Sequence, residues 1–399
     1  MKVRVTQVMA SGAAGGAQVH VHNLVTRLDP ERFDIEVISL SDGPAVRRLR
    51  AAGVTTHVVD CADDADALAA VVGLLRLRTP QIIHNHMYRA EVIGTRAALA
   101  LAEQGLPRPY VVGTVHSSRI RSDEDRALVR RLTPSMDRLI AVSRAIVAKM
   151  VSEGRTGAPV ELIYNGVDLR RYEYTEACCT LPEEYGFPEG APLVGVVARL
   201  EPEKGHMTLL EAWPAVLRQV PEARLLVIGE GSQRELLEAQ AEQLDLLGQH
   251  CSADSCVGTR GARPGAKVLF TGLRDDVPAV TAALDVAVLP SYREAQGLAI
   301  LEAMALRRPV VATAVGGVPE MVEHERTGLL VPPRDPVALG AAITRILTDH
   351  PLADMLARAG HDFVHASFSV EHMVHAVSAV YEDGAAAVAA RRGATRTAA

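Results

Sequence analysis

The sequence predicts an α/β protein built from two doubly wound, parallel-sheet domains. Three observations carry this reading. Short β-branched runs alternate with Ala/Leu/Arg-rich helical stretches, the pattern of βα units on a parallel sheet. The rhythm runs once, breaks near the middle of the chain, and runs again. At 399 residues the chain also exceeds one ordinary compact core.

The first series places strands at 3–9, 33–40, 54–60, 81–86, 110–116, 137–143 and 160–166. Helical stretches fall between them, among them 17–28, 63–78, 88–104 and 144–153, with Asp63 and Asp64 suited to a helix's first turn. Residues 169–192 are polar, proline-bearing and aperiodic, which marks an interdomain connection. The second series places strands at 192–200, 223–230, 266–272, 284–290, 308–314 and 327–333. The domains expected are 1–178 and 179–368, with 369–399 a final helix and flexible tail. Residues 335–382 read as all-helical, and the Ala/Arg-rich end from Gly384 is expected to fray. One stretch, 248–265, is a long polar loop outside the rhythm.

Composition narrows the class. The chain is 48% hydrophobic and 23% charged, with 31 Gly and 22 Pro, as in a soluble globular protein. Aromatics are only 4%, so Val, Leu, Ile and Ala must fill the core. A net charge of -6 argues against a general nucleic-acid binder. The N-terminus lacks a secretory h-region, and no apolar run approaches the ~18 residues of a membrane span. Five cysteines without framework spacing point to a reducing cytoplasm. Peripheral membrane contact and oligomeric state stay open.

In doubly wound sheets ligands sit beyond the carboxyl ends of the strands, and the conspicuous polar residues fall there. Gly15-Gly16 follow the first strand and open a helix, which lets backbone approach a phosphate or sugar, although G-x-G-x-x-G is absent. Read alone, they are a tight turn. His84 and His86 end one strand and His116 another. The H-x-H pair has no third ligand at a usual spacing, so no metal site is expected. His116 has the stronger functional reading, because Thr114, Ser117 and Ser118 make its surroundings polar. Asn165-Gly166 also lies at a strand end, a turn by itself.

Arg199 and Lys204 follow the first strand of the second series and suit a diphosphate, Arg as a planar fork and Lys as a compact charge. Against this, Glu201 and Glu203 could pair with them on a solvated surface. The D-x-D at Asp64–Asp66 opens a helix rather than ending a strand, so it is set aside. Cys251 and Cys256 beside His250 carry no assignment.

Residues 290–320 organise the second half: a strand end, a polar loop, a helix, then another buried strand. Glu294 and Glu302 bracket Gly297, and a glycine-opened helix N-terminus suits an anion. On a helix, eight positions span about 12 Å, too far for a retaining glycosidase pair at ~5–5.5 Å. Two grips on one elongated ligand fit better. Glu302, amid LAILEAMAL, is expected to be semi-buried and to need a partner.

Four segments then occur in order: GGAQVHVHNL, YNGVD at 164–168, ARLEPEKG at 198–205 and E-x7-E at 294–302, followed by EAMALRRPVVATAVGGVPEMV. Together they resemble family-4 retaining glycosyltransferases over nearly the whole chain. The resemblance implies the GT-B fold, two Rossmann-like domains facing across a cleft. It implies a UDP- or GDP-sugar donor, UDP favoured, and a hydroxyl acceptor. Arg199 and Lys204 would hold the diphosphate without a metal ion or other cofactor, helped by Gly297 and Leu298 at the helix N-terminus. Glu302 would bind the ribose and Glu294 the donor sugar. Gly15 and Gly16 would approach the donor phosphate, His116 the transferred sugar, and Asn165 and Leu273 are grouped with the donor-binding residues. No nucleophilic carboxylate emerges, which favours same-face attack. His86 and Arg119, with Arg121, hint at the acceptor.

Three positions depart from the family pattern. Gln296 stands where Phe or Leu is common, Ser117 where Gly is frequent after the His, and Arg307-Arg308 where a helix-ending Gly is usual. Other readings of the same fold are a nucleotide-sugar 2-epimerase and a non-catalytic nucleotide-sugar-binding protein. A dehydrogenase is disfavoured by the missing fingerprint.

Overall fold

The computed structural model describes residues 2–13, 15–117, 119, 121–173, 175, 177, 181–248 and 265–397. They form two compact units, Met1–Gly166 with Val370–Ala399, and Val167–Ser369. The division expected at 178/179 therefore falls at 166/167. The reason lies in backbone pairing: Val167 forms a parallel bridge with Ser369, and its N–H donates to the Phe368 carbonyl at 2.7 Å. Entry to the second unit and exit from it are tied together, which composition does not reveal.

Unit 1 is a seven-stranded parallel sheet. Its strands are β1 (Val3–Met9), β2 (Phe33–Ser39), β3 (Thr56–Val58), β4 (Ile82–His86), β5 (Tyr110–Val115), β6 (Arg138–Ala141) and β7 (Val160–Leu162). The order is β3-β2-β1-β4-β5-β6-β7. Unit 2 has six parallel strands: β8 (Leu193–Val197), β9 (Arg224–Ile228), β10 (Val268–Gly272), β11 (Val286–Leu289), β12 (Val310–Thr313) and β13 (Leu329–Val331). Their order, β10-β9-β8-β11-β12-β13, repeats the doubly wound pattern. In each sheet the chain direction of progress reverses beside the first strand, between β1 and β4 and between β8 and β11. A crevice opens at such a switch point, beyond the carboxyl ends.

The strands read as continuous apolar runs because helices cover both faces. In unit 2 Val194, Val196, Leu225, Val227, Val286 and Val288 pack with Trp213, whose indole N–H donates to the Lys267 carbonyl at 3.2 Å. In unit 1 the final helix, Val370–Thr397, lays Val370, Met373, Val374, Val377, Val380 and Tyr381 against Val5, Ile82, Tyr110 and Val112. That spacing is one helical face. The expectation of a frayed tail from Gly384 needs correcting, because this helix continues to Thr397 on alanines of high helix propensity.

The connection read as aperiodic carries two short helices, Leu169–Glu173 and Leu181–Tyr185. Asp63 caps the helix Asp64–Arg78 by accepting from the Ala65 and Asp66 amides at 2.7 and 3.2 Å, and the D-x-D carboxylates of Asp64 and Asp66 lie in the first turn of that helix. Most of the 248–265 loop, with His250, Cys251 and Cys256, lies outside the described residues. Among the described residues no helix is long and apolar enough to cross a membrane.

Candidate active site

At the switch point of unit 2 two loops meet. One follows β8 and carries Arg199 and Lys204; the other follows β11 and carries Ser291 to Gly297. Backbone ties them together: the Tyr292 N–H donates to the Glu203 carbonyl at 2.7 Å, and the Tyr292 and Thr208 hydroxyls lie 2.8 Å apart. The Arg334 guanidinium sits 4.0 Å from the centre of the Tyr292 ring. Behind the second loop, Gly316 adopts φ 52°, and a Cβ there would lie 1.8 Å from the Glu294 carbonyl oxygen. Only glycine fits so close an approach.

Lys204 Nζ donates to Glu294 Oε1 at 2.5 Å, and the Ser291 hydroxyl donates to the same oxygen at 3.0 Å. The two charged side chains are 18% and 11% exposed, a largely buried pair. Lys204 thus takes neither Glu201 nor Glu203 as its partner. Arg199 does pair with Glu203, at 3.1 Å and 55% exposed, an arrangement weak in itself and easily exchanged for a ligand. An ammonium has three N–H donors, so a Lys204 held by Glu294 still has donors for a phosphate.

Gly297 enters the left-handed region at φ 92° and precedes the helix Leu298–Ala305. Glu302 rides on that helix. Burial pushes its carboxyl up from the ordinary range, while a hydrogen bond from the Tyr172 hydroxyl and the nearby Arg171 charge work the other way. Tyr172 is the partner whose need the sequence indicated but whose identity it concealed. The helix ends without glycine: Arg307 itself takes φ 54°. Its N–H donates to the Met304 carbonyl at 2.9 Å and the Arg308 N–H to Ala303 at 3.0 Å, the paired bonds of a Schellman ending. Leu273 is 76% exposed after β10.

The switch point of unit 1 collects histidines. Gly15 precedes the helix Gly16–Val25, which buries His20; β4 ends in His84 and His86; His116 follows β5. His86 Nδ1 lies 3.1 Å from His116 Nε2, and His86 Nε2 2.7 Å from Gln7 Oε1. His84 uses both nitrogens, at 2.6 Å from the Tyr381 hydroxyl and 2.6 Å from Thr114 Oγ1. Burial holds His84, His86 and His116 well below the ordinary imidazole range, so all three are neutral at pH 7. Burial lowers His20 to about 4, although Asn165 is close enough to favour its charged form.

His86 is fully buried and reaches His116 rather than solvent, whereas Arg119 is exposed and Arg121 pairs with Glu153 at 2.8 Å. The histidine ligand atoms of His20, His86 and His116 lie within 4.8 Å of one another. Spacing along the chain hid this third residue; the adjacency of β1 and β4 supplies it.

Two family models match the chain, "Glycosyltransferase Family 4" over residues 14–171 and "Glycosyl transferases group 1" over 191–349. The GDP-mannose-dependent alpha-(1-6)-phosphatidylinositol monomannoside mannosyltransferase of Mycobacterium tuberculosis is 30% identical, over 73% of this chain and 75% of that protein. The chain belongs to glycosyltransferase family 4.

This family-4 glycosyltransferase is also similar to the D-inositol 3-phosphate glycosyltransferase of Salinispora arenicola, 25% identical over 94% of this chain and 89% of that one. Among solved structures it shares its GT-B fold with HepE of Anabaena, crystallised with UDP and glucose. The TM-score is 0.81 at 22% identity, covering 96% of this chain and all of the other. The transferase assignment and the two Rossmann-like domains expected from the sequence are thereby established.

Proposed function

We propose that this glycosyltransferase moves a sugar, with retention of anomeric configuration, from a nucleoside-diphosphate sugar to a hydroxyl acceptor. The observation that carries the reading is the convergence at one switch point of Arg199, the Glu294-held Lys204 and the Gly297-opened helix. As the sugar–phosphate bond breaks, negative charge grows on the diphosphate. Preorganised cations and helix N–H groups stabilise that charge at no cost in reorganisation. Arg199 presents a fork, Lys204 a positioned ammonium, and the Gly297 and Leu298 amides complete the cradle, so the charge is met without a metal ion at the diphosphate.

Glu302, whose carboxylate form Tyr172 and Arg171 favour against the opposing effect of burial, accepts from the ribose hydroxyls; Glu294 accepts from the donor sugar while it positions Lys204. Gly15 and Gly16 serve the donor phosphate, and His116 and Asn165 the transferred sugar. Same-face attack, with the leaving phosphate as base, accounts for retention without a protein nucleophile. UDP is the favoured carrier, supported by the UDP and glucose complex of HepE, and the mannosyltransferase relative keeps GDP as the competing choice. The pathway is glycan or glycoconjugate assembly in the cytoplasm.

A thermal-shift panel of UDP, GDP, ADP and their sugars tests the donor, since a ligand bound only by the native state raises its stability. UDP and UDP-sugars are expected to give the largest shifts at equal excess over their dissociation constants. No shift with any nucleotide contradicts the reading. Isomerisation of the donor without acceptor would replace transfer with epimerisation.

A further inference from the structure

We infer that His20, His86 and His116 form a binding site in unit 1 for one divalent ion of the zinc class. The three rings come from separate elements, the helix Gly16–Val25, the end of β4 and the segment after β5, so no local motif announces them. Their ligand nitrogens lie within 4.8 Å of one another, and those of His86 and His116 are 3.1 Å apart. Nitrogens bound to zinc at ~2.0–2.1 Å in a tetrahedron stand about 3.4 Å apart, so side-chain adjustments of about an ångström complete the set.

Hydrogen bonding selects the ligand atoms. The Gln7 amide donates to the Tyr381 hydroxyl at 2.7 Å, which turns its carbonyl oxygen toward His86 Nε2 at 2.7 Å. His86 therefore carries its proton on Nε2 and presents the Nδ1 lone pair to the cluster. A ligating histidine typically has this outer partner, a carbonyl that fixes the tautomer. His116 donates from Nε2 to that lone pair; binding an ion moves its proton to Nδ1, with no net release. His20 is 3% exposed, and neither of its ring nitrogens reaches a hydrogen-bond partner at normal distance. Its ring centre lies 4.7 Å from that of His116 and 5.5 Å from that of His86. Beyond the Asn165 side chain this desolvated imidazole has no polar partner among the described residues, an unfavourable arrangement that ligation improves.

His84 is not a fourth ligand, because both of its nitrogens are engaged. Three neutral imidazoles without a carboxylate select zinc, cobalt or nickel over magnesium or calcium. The remaining position takes water or a hydroxyl, the arrangement of zinc sites that keep an open coordination position. The functional consequence rests on the proposed role of His116. An ion that occupies its Nε2 removes it from the donor sugar, so zinc inhibits transfer, while donor binding through Arg199 and Lys204 is read separately by nucleotide thermal shift.

The test is titration of the chelator-dialysed full chain with Co²⁺, followed by Zn²⁺ displacement. The expected result is one ion per chain, with the visible absorption of a four-coordinate site. His20→Asn and His86→Asn, checked for folding by circular dichroism, are expected to abolish it. Gln7→Met keeps all three ligands and is expected to weaken binding about 10–100-fold. A second histidine pair, His361 and His365 with ring centres 4.0 Å apart on the helix His350–Ser367, is the control. If His361→Asn/His365→Asn removes the bound ion, or wild type shows no saturable binding at micromolar metal, the inference is overturned. Should the buried variants fail to fold, the wild-type spectrum and its persistence in the His361/His365 variant decide the question.

Discussion

Lys204 and Glu294, ninety residues apart in sequence, form a short ion pair, Nζ to Oε1 at 2.5 Å, at the switch point of unit 2. In the proposed function each serves a different end of the donor, and the pair makes them interdependent, because each holds the other in place.

Removing one partner leaves the other charged and largely desolvated. Lys204→Met and Glu294→Met are each expected to lower unfolding free energy by about 3 kcal/mol, and the double variant by less than their sum. Denaturant melts of the four proteins measure the coupling. Lys204→Met is also expected to reduce kcat by about 10²–10³, since it removes a preorganised donor to developing charge.

Arg307 holds a left-handed conformation at the Schellman ending of the helix Leu298–Ala305. An L-residue loses roughly 1 kcal/mol in that conformation and glycine does not. Arg307→Gly is therefore expected to raise stability by up to about 1 kcal/mol, with unchanged donor affinity. A rise in unfolding midpoint at constant denaturant slope checks it.

Glu302 depends on Tyr172 to offset burial. With Tyr172→Phe its carboxyl is expected to titrate at higher pH, so nucleotide affinity, which in the proposed function needs the carboxylate, is expected to fall off at a higher pH than in wild type as the solution is acidified. Dissociation constants measured across pH compare the two proteins. Identical profiles would remove Tyr172 from this role.

His206 is buried beside Lys204, and burial first, then that charge, lowers it to about 4. The unfolded chain takes up this proton near pH 6.5, the folded chain only near 4. Its contribution is present above about pH 6.5 and lost as pH falls toward 4. Between pH 7 and 5 the loss is about 2 kcal/mol for this one group. His206→Leu is expected to flatten the pH dependence of unfolding by that amount over that interval.

Most of the architecture was legible because parallel strands buried on both faces must be apolar throughout, and the runs around Val194, Leu225 and Val286 are. The strand-end rule pointed to Arg199, Lys204, Glu294 and His116, and the fold sets them at the switch points. Pairings across the sheet were not legible. Which carboxylate Lys204 takes depends on β8 lying beside β11, and the meeting of His20 with His86 depends on β1 lying beside β4. Tyr172 is not legible because it lies in an aperiodic stretch with the composition of a connection. The division between units was misplaced because the Val167–Ser369 bridge leaves no trace in composition.

In the proposed function unit 2 binds a nucleoside-diphosphate sugar through Arg199 and Lys204 without a metal ion. Isothermal titration of UDP-glucose and UDP into the full chain in excess chelator tests it most directly. Saturable binding of one nucleotide per chain is expected. Arg199→Ala and Lys204→Met should each weaken it at least about tenfold, through loss of a charge-assisted hydrogen bond of about 1.5–3 kcal/mol. Binding that requires an added divalent ion, or that is unchanged in both variants, would contradict it.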